Sequence, residues 1–185
     1  MALFTLWLPI LLSSVFVFVV SSIIHTALPW HKNDYPKLPM EEKAMDALRP
    51  LNLPPGDYMV PRAANMKDYR TPEFLEKLKK GPVMILTVLK NGQSSMAGNL
   101  VGWFLYSLAV SILTGYVLAR VLAEVQVFRH VFRMAAVISF LGYSAALWQM
   151  SIWYRRKWSI TIKSTIDGLI YALITAATFS WLWSM

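Results

Sequence analysis

The fold class this sequence predicts is an all-α integral membrane protein, with four transmembrane helices and a proline-rich cytoplasmic loop region. Three observations predict it. Apolar runs long enough to cross a bilayer recur four times. Charged residues fill only 15% of the 185 positions, against ~25% in ordinary soluble domains, and mean hydropathy is +0.45. Lysine and arginine gather in some of the segments between the runs and avoid the others.

The first transmembrane helix is read over residues 1–24, with its apolar run starting at Leu3. A rise of ~1.5 Å per residue makes that run long enough for a hydrocarbon core of ~30 Å. No basic segment precedes it and no A-x-A site follows, so it reads as a retained span rather than a cleaved signal. Pro9 is expected to kink its first turns, and Pro29 to end it by biasing Leu28 away from the helical region.

Residues 25–95 form the cap region. Met40, Ala44, Ala47 and Leu48 recur at helical spacing, so residues 39–49 read as a short amphipathic helix stopped by Pro50. "TPEFLEKLKKGP" carries stronger signals. Thr71 can cap, Pro72 suits the first turn, Glu73 and Glu76 lie toward the positive end, and Lys77, Lys79 and Lys80 toward the negative end. Gly81 and Pro82 then close it. With Phe74, Leu75 and Leu78 on one side, this helix suits either an anionic membrane surface or the chain's own loop. "GDYMV" and "PVMILTV" are rich in β-favouring residues and predict a small β-ribbon.

Residues 96–185 hold the other three transmembrane helices, read at 96–118, 134–153 and 166–183. Gly98 and Gly102 match a close-packing motif and predict a helix–helix contact. Four spans place both termini on one side. Fifteen of the eighteen Lys and Arg then fall on the side of residues 25–95 and 154–165, with only Arg120, Arg129 and Arg133 opposite. The positive-inside rule makes the cap cytoplasmic and both termini external. Tryptophans agree as interface anchors, with Trp30, Trp103, Trp153 and Trp158 at the inner boundary and Trp7, Trp181 and Trp183 at the outer.

The net charge of +8 is thus read as orientation, not as a nucleic-acid footprint. The absence of cysteine excludes disulfides, thiolate metal sites and cysteine nucleophiles. No P-loop, H-E-x-x-H, G-x-S-x-G or internal repeat occurs. Two groups of residues stand out. His25, His31 and Asp34 crowd the exit of the first span, and imidazoles with a carboxylate suit a divalent transition metal once the bend at Pro29 brings them together. The simpler reading is an interfacial polar collar. Asp167, the last acid in the chain, is expected to sit at the start of the fourth span and pair with Lys163 or Arg155.

"LPWHKNDY", "PPGDYMVPR", "WFLYSL", "SIWYRRKW" and "DGLIYALITAATFSWLW" together resemble an uncharacterised family of small bacterial inner-membrane proteins. The resemblance covers most of the chain. It implies the membrane and a bacterial source but no activity, and it names no cofactor or catalytic residue. The expected function is a non-enzymatic accessory subunit of a larger membrane complex, such as a respiratory or photosynthetic one. Its partners would be the lipid bilayer and other membrane subunits, with no nucleic acid. The alternatives are a metal-binding protein or enzyme using His25, His31 and Asp34, and a small-solute transporter or channel. The last is disfavoured because no charge is expected mid-span.

Overall fold

The structure is a computed structural model, described here for residues 3–92, 95–122 and 127–183. Four helices are long and apolar enough to cross a membrane: Leu3–Thr26, Met96–Val121, Phe128–Ile152 and Trp158–Leu182. A two-stranded sheet accompanies them. The chain divides into two compact units, one of Met1–Tyr35 with Ser95–Met185 and the other of Pro36–Ser94. Residues 25–35, expected in the cap, therefore belong with the long helices.

The first unit is a helical bundle. It begins with a 3-10 turn, Leu3–Leu6, that runs into α1 (Trp7–Thr26). Pro9 falls in the first turn of α1, where a missing N–H forfeits no helical bond. Leu28 is extended, as its place before proline requires, and Pro29–His31 forms another 3-10 turn. Helix α4 is Met96–Val121. The third long helix is α5 (Phe128–Ser144), a 3-10 turn Ala145–Leu147, then α6 (Trp148–Ile152). The break follows Gly142, whose carbonyl accepts the Tyr106 hydroxyl, so a side chain enters the ladder where the helix tightens. Helix α7 is Trp158–Leu182.

Two of these helices start earlier than their hydropathy suggests. α5 begins at Phe128, so Arg129 and Arg133 lie in its first turns. α7 begins at Trp158, which puts Lys163 inside the helix rather than in the preceding loop and Asp167 well inside it rather than at its start. No proline or glycine interrupts residues 158–167, so nothing stops the helix from extending through polar positions.

α7 is the central helix. Its apolar window is 56% buried, against 28–33% for the other three, and it packs on α5 and α1 while α4 packs on α1 and α5. The interior has two apolar clusters. One, around Leu6, Leu118, Val131 and Phe179, closes the end of the bundle that holds Leu3 and Trp183. The other, around Val17, Val110, Tyr143 and Tyr171, lies toward the opposite end. Small hydroxyl residues line the helix contacts. Ser14, Thr114, Ser139 and Thr175 return their hydroxyls to carbonyls one turn back, and Ser13 also donates to Ser111 across the α1–α4 contact at 3.0 Å.

The expected glycine contact is not made among the described residues. A Cβ added at Gly98 or Gly102 meets nothing within 4 Å, whereas one added at Gly168 would lie 2.0 Å from Ser144 Oγ. Close approach is thus required where α7 crosses the end of α5, and Gly168 opens a buried row of small residues on α7, Gly168, Ala172 and Ala176, spaced four apart.

The second unit contains α2 (Glu41–Leu48), β1 (Gly56–Val60), α3 (Pro72–Lys80) and β2 (Met84–Val88). The strands form the expected ribbon, antiparallel, with Gly56 opposite Val88 and Val60 opposite Met84. Thr71 caps α3 by accepting from the Phe74 amide at 3.3 Å, and Gly81 ends it with φ of 61°.

Candidate functional site

The densest polar cluster in the bundle lies where the chain leaves α1 and where α7 begins. α1 continues to Thr26, which keeps His25 in its last turn, and the 3-10 turn at Pro29 folds the chain back. This reversal overcomes the awkward six-residue spacing of His25 and His31. Their rings stack with centroids 4.5 Å apart and planes 6° from parallel.

His31 is the hub. Its Nδ1 lies 2.7 Å from Asp34 Oδ2, and its Nε2 lies 2.8 Å from Asp167 Oδ2. Ionised carboxylates only accept, so each of these contacts needs a hydrogen on the imidazole nitrogen. Asp34 is held from its other oxygen by Lys163, whose Nζ donates to Oδ1 at 2.7 Å and to the Trp30 carbonyl at 2.7 Å. The ammonium also lies 5.8 Å from the centre of the Trp30 ring.

These groups are largely withdrawn from solvent. Side-chain exposure is 5% for Asp167, 8% for Asp34 and 16% for His31. Burial alone would push the Asp34 carboxyl up. The hydrogen bonds and positive charges of Lys163 and His31 outweigh it and hold Asp34 below the usual carboxylate value.

His25 is exposed at the edge of the cluster. Its Nδ1 lies 2.9 Å from the Ser21 carbonyl, an acceptor, so Nδ1 carries a hydrogen and Nε2 is the nitrogen left to face a ligand. Both histidines therefore have Nδ1 anchored to an oxygen, which is how proteins orient imidazole toward a metal through Nε2. One ligand atom each from His25, His31 and Asp167 lies within 4.8 Å of the others. Ligands around a tetrahedral ion with bonds of ~2.1 Å are about 3.4 Å apart, so His31 and Asp167, now 2.8 Å apart, must open to admit the ion while His25 draws in by up to roughly an ångström. The parallel ring planes must also open for two in-plane lone pairs to meet one ion. His25, on the exposed side, has the room to turn.

The sequence-predicted residues are thus regrouped. His25 and His31 converge, and Asp34 adjoins them, but Asp34 holds the far nitrogen of His31 while Asp167 faces Nε2. Lys163 pairs with Asp34, not Asp167. Among the described residues no ion pair reaches Arg155, which takes a left-handed φ of 57° in the turn before α7. The His31–Asp167 contact spans 136 positions and was not foreseen. One signal was available: Lys163 and Asp167 are four apart and share a face of α7.

Comparisons with family models, with curated proteins and with solved structures return no match.

The tryptophans divide. Trp7, Trp30, Trp153, Trp158 and Trp181 are exposed on the helical unit, as interface anchors need to be. Trp183 is only 5% exposed and belongs to the terminal core cluster. Trp103 turns inward, donating Nε1–H to Ser21 at 2.7 Å and packing on Tyr106, Tyr143 and Tyr171. Trp148 is exposed and donates to Thr165 at 3.1 Å.

Proposed function

We propose that this chain is a multi-pass protein of a bacterial inner membrane that binds a divalent transition metal ion at His25, His31 and Asp167. Residues 25–95 are cytoplasmic in this reading and both termini external, on the strength of the lysine and arginine distribution. The carrying observation is the convergence of the three donors, with each imidazole anchored to an oxygen through Nδ1. Two imidazoles and a carboxylate suit zinc or ferrous iron, and three protein ligands leave coordination positions for water or an exchangeable group. Asp34, braced by Lys163, serves as the outer partner of His31. The ion takes the position of the hydrogen shared between His31 and Asp167, so its binding releases a proton.

Elemental analysis of protein purified without chelators tests the reading. About one metal ion per chain, lost on His31→Ala, is expected; metal-free protein that takes up none on dialysis against zinc or ferrous iron contradicts it.

A second reading, the accessory subunit of a larger membrane complex, is favoured by Gly98 and Gly102. Their close-packing motif is open, with nothing within 4 Å of an added Cβ, so a helix of another chain could seat there. Stoichiometric recovery of a partner in mild detergent supports this reading, and a lone monodisperse chain counts against it.

A further inference from the structure

We propose that the unit Pro36–Ser94 is a membrane-surface module, and that α3 lies on the anionic phospholipid bilayer in which the chain is anchored. This goes beyond the metal site and does not depend on it.

The unit is incomplete by itself. Among its described residues the buried apolar side chains are only Ala63 and Phe74. Its sheet is a lone two-stranded ribbon, which is marginal in water without a surface to pack on. Yet α3 is well specified, with a side-chain cap at Thr71 and a glycine stop at Gly81.

The arrangement of α3 indicates what covers it. At ~100° per residue, Phe74, Leu75 and Leu78 share one side. Phe74 is covered by the Tyr69 ring, with centroids 5.0 Å apart, but Leu75 is 44% and Leu78 36% exposed. Lys77 and Lys79 fall at the two edges of this apolar stripe, and Glu73, Glu76 and Lys80 fall on the opposite side. Lysines that flank an apolar face can bury their stems and deliver their charge to phosphate, while the acids point away from the lipid.

Connectivity supplies the surface. The unit begins at Pro36, soon after α1 ends at Thr26, and Ser95 leads directly into α4. Both neighbours are helices able to cross a membrane, so lipid headgroups are always within reach. Between residues 36 and 94, ten Lys and Arg face seven Asp and Glu, a charge suited to anionic rather than zwitterionic lipid.

The chain has no cysteine, so Leu75→Cys, Leu78→Cys and Glu76→Cys each accept a single nitroxide label. The full chain is reconstituted in phosphatidylcholine vesicles with or without phosphatidylglycerol. Label collisions with oxygen and with a water-soluble nickel reagent are then compared by electron paramagnetic resonance. With phosphatidylglycerol, labels at 75 and 78 should be several-fold more accessible to oxygen relative to nickel than the label at 76. Lys77→Glu with Lys79→Glu, or omission of phosphatidylglycerol, should erase the difference. Equal nickel access at all three positions in anionic vesicles overturns the proposal. So does protection at 75 and 78 that ignores both lipid charge and the lysine reversals, which would mean that protein covers the face.

Discussion

His31 and Asp167, 136 positions apart in the chain, meet through Nε2 and Oδ2 at 2.8 Å. That contact ties the reversal after α1 to the first turns of α7. The opposite nitrogen of His31 is occupied by Asp34, so the imidazole is fixed from both sides before any ion arrives.

Asp34 and Lys163 should act on metal affinity without touching the ion. Asp34→Asn keeps the side chain's size but removes the charge that orients His31. It should weaken metal binding roughly 10- to 100-fold, the usual cost of losing such an outer partner. Lys163→Met should have a smaller effect in the same direction, since Asp34 loses its brace but keeps its bond to His31. Isothermal titration checks both. An unchanged Asp34→Asn protein would show that His31 is held by packing alone.

Gly168 should be intolerant of any side chain. Its added Cβ would stand 2.0 Å from Ser144 Oγ and 3.3 Å from Tyr143 Cβ, so the Ser144 hydroxyl must swing away and the α5–α7 contact must give next to Asp167. Gly168→Ala is expected to cost ~1–3 kcal/mol, the range for overpacking. Adding Ser144→Ala removes the Oγ and should recover part of that loss. Unfolding of the two single variants and the double variant in detergent measures the coupling.

The fold was more legible than the site, for physical reasons. Runs such as residues 3–24 announce themselves because spanning hydrocarbon needs length and apolarity, both local properties. The α3 boundaries were equally local, written in Thr71, Pro72 and Gly81. The start of α7 was not, because hydropathy cannot tell a polar first turn from a polar loop. The site depends on which side of α7 faces the turn at Pro29, a matter of tertiary packing. The sequence therefore marked His25, His31, Asp34, Lys163 and Asp167 but paired them wrongly with respect to Lys163. Gly98 and Gly102 show the converse: a recognisable motif where an added Cβ meets nothing within 4 Å among the described residues.

The hydrogen bond between Ser13 and Ser111 should matter little by itself. Interspan bonds of this kind contribute about 0.6 kcal/mol on average, because hydroxyls in a membrane find other acceptors. Ser13 already has one, the Ile10 carbonyl at 3.1 Å. Ser111→Ala should therefore lower stability by less than ~1 kcal/mol. A larger loss would mean that the contact organises more of the α1–α4 interface than one bond.

Thr71→Ala should loosen α3 without unfolding the bundle. The lost cap is worth ~1 kcal/mol of local helix stability. Hydrogen exchange should accelerate several-fold at amides near Phe74 and stay unchanged in α4 and α7. Faster exchange throughout would show that the two units unfold together.

Metal binding by the intact chain tests the central claim most directly. Equilibrium dialysis of the purified protein against zinc, followed by elemental analysis, compares it with His25→Ala, His31→Ala and Asp167→Ala. The account predicts one tightly held ion per chain in the parent protein and at least a tenfold loss of affinity in each variant. Zinc retained equally by all four proteins, or by none, would contradict it.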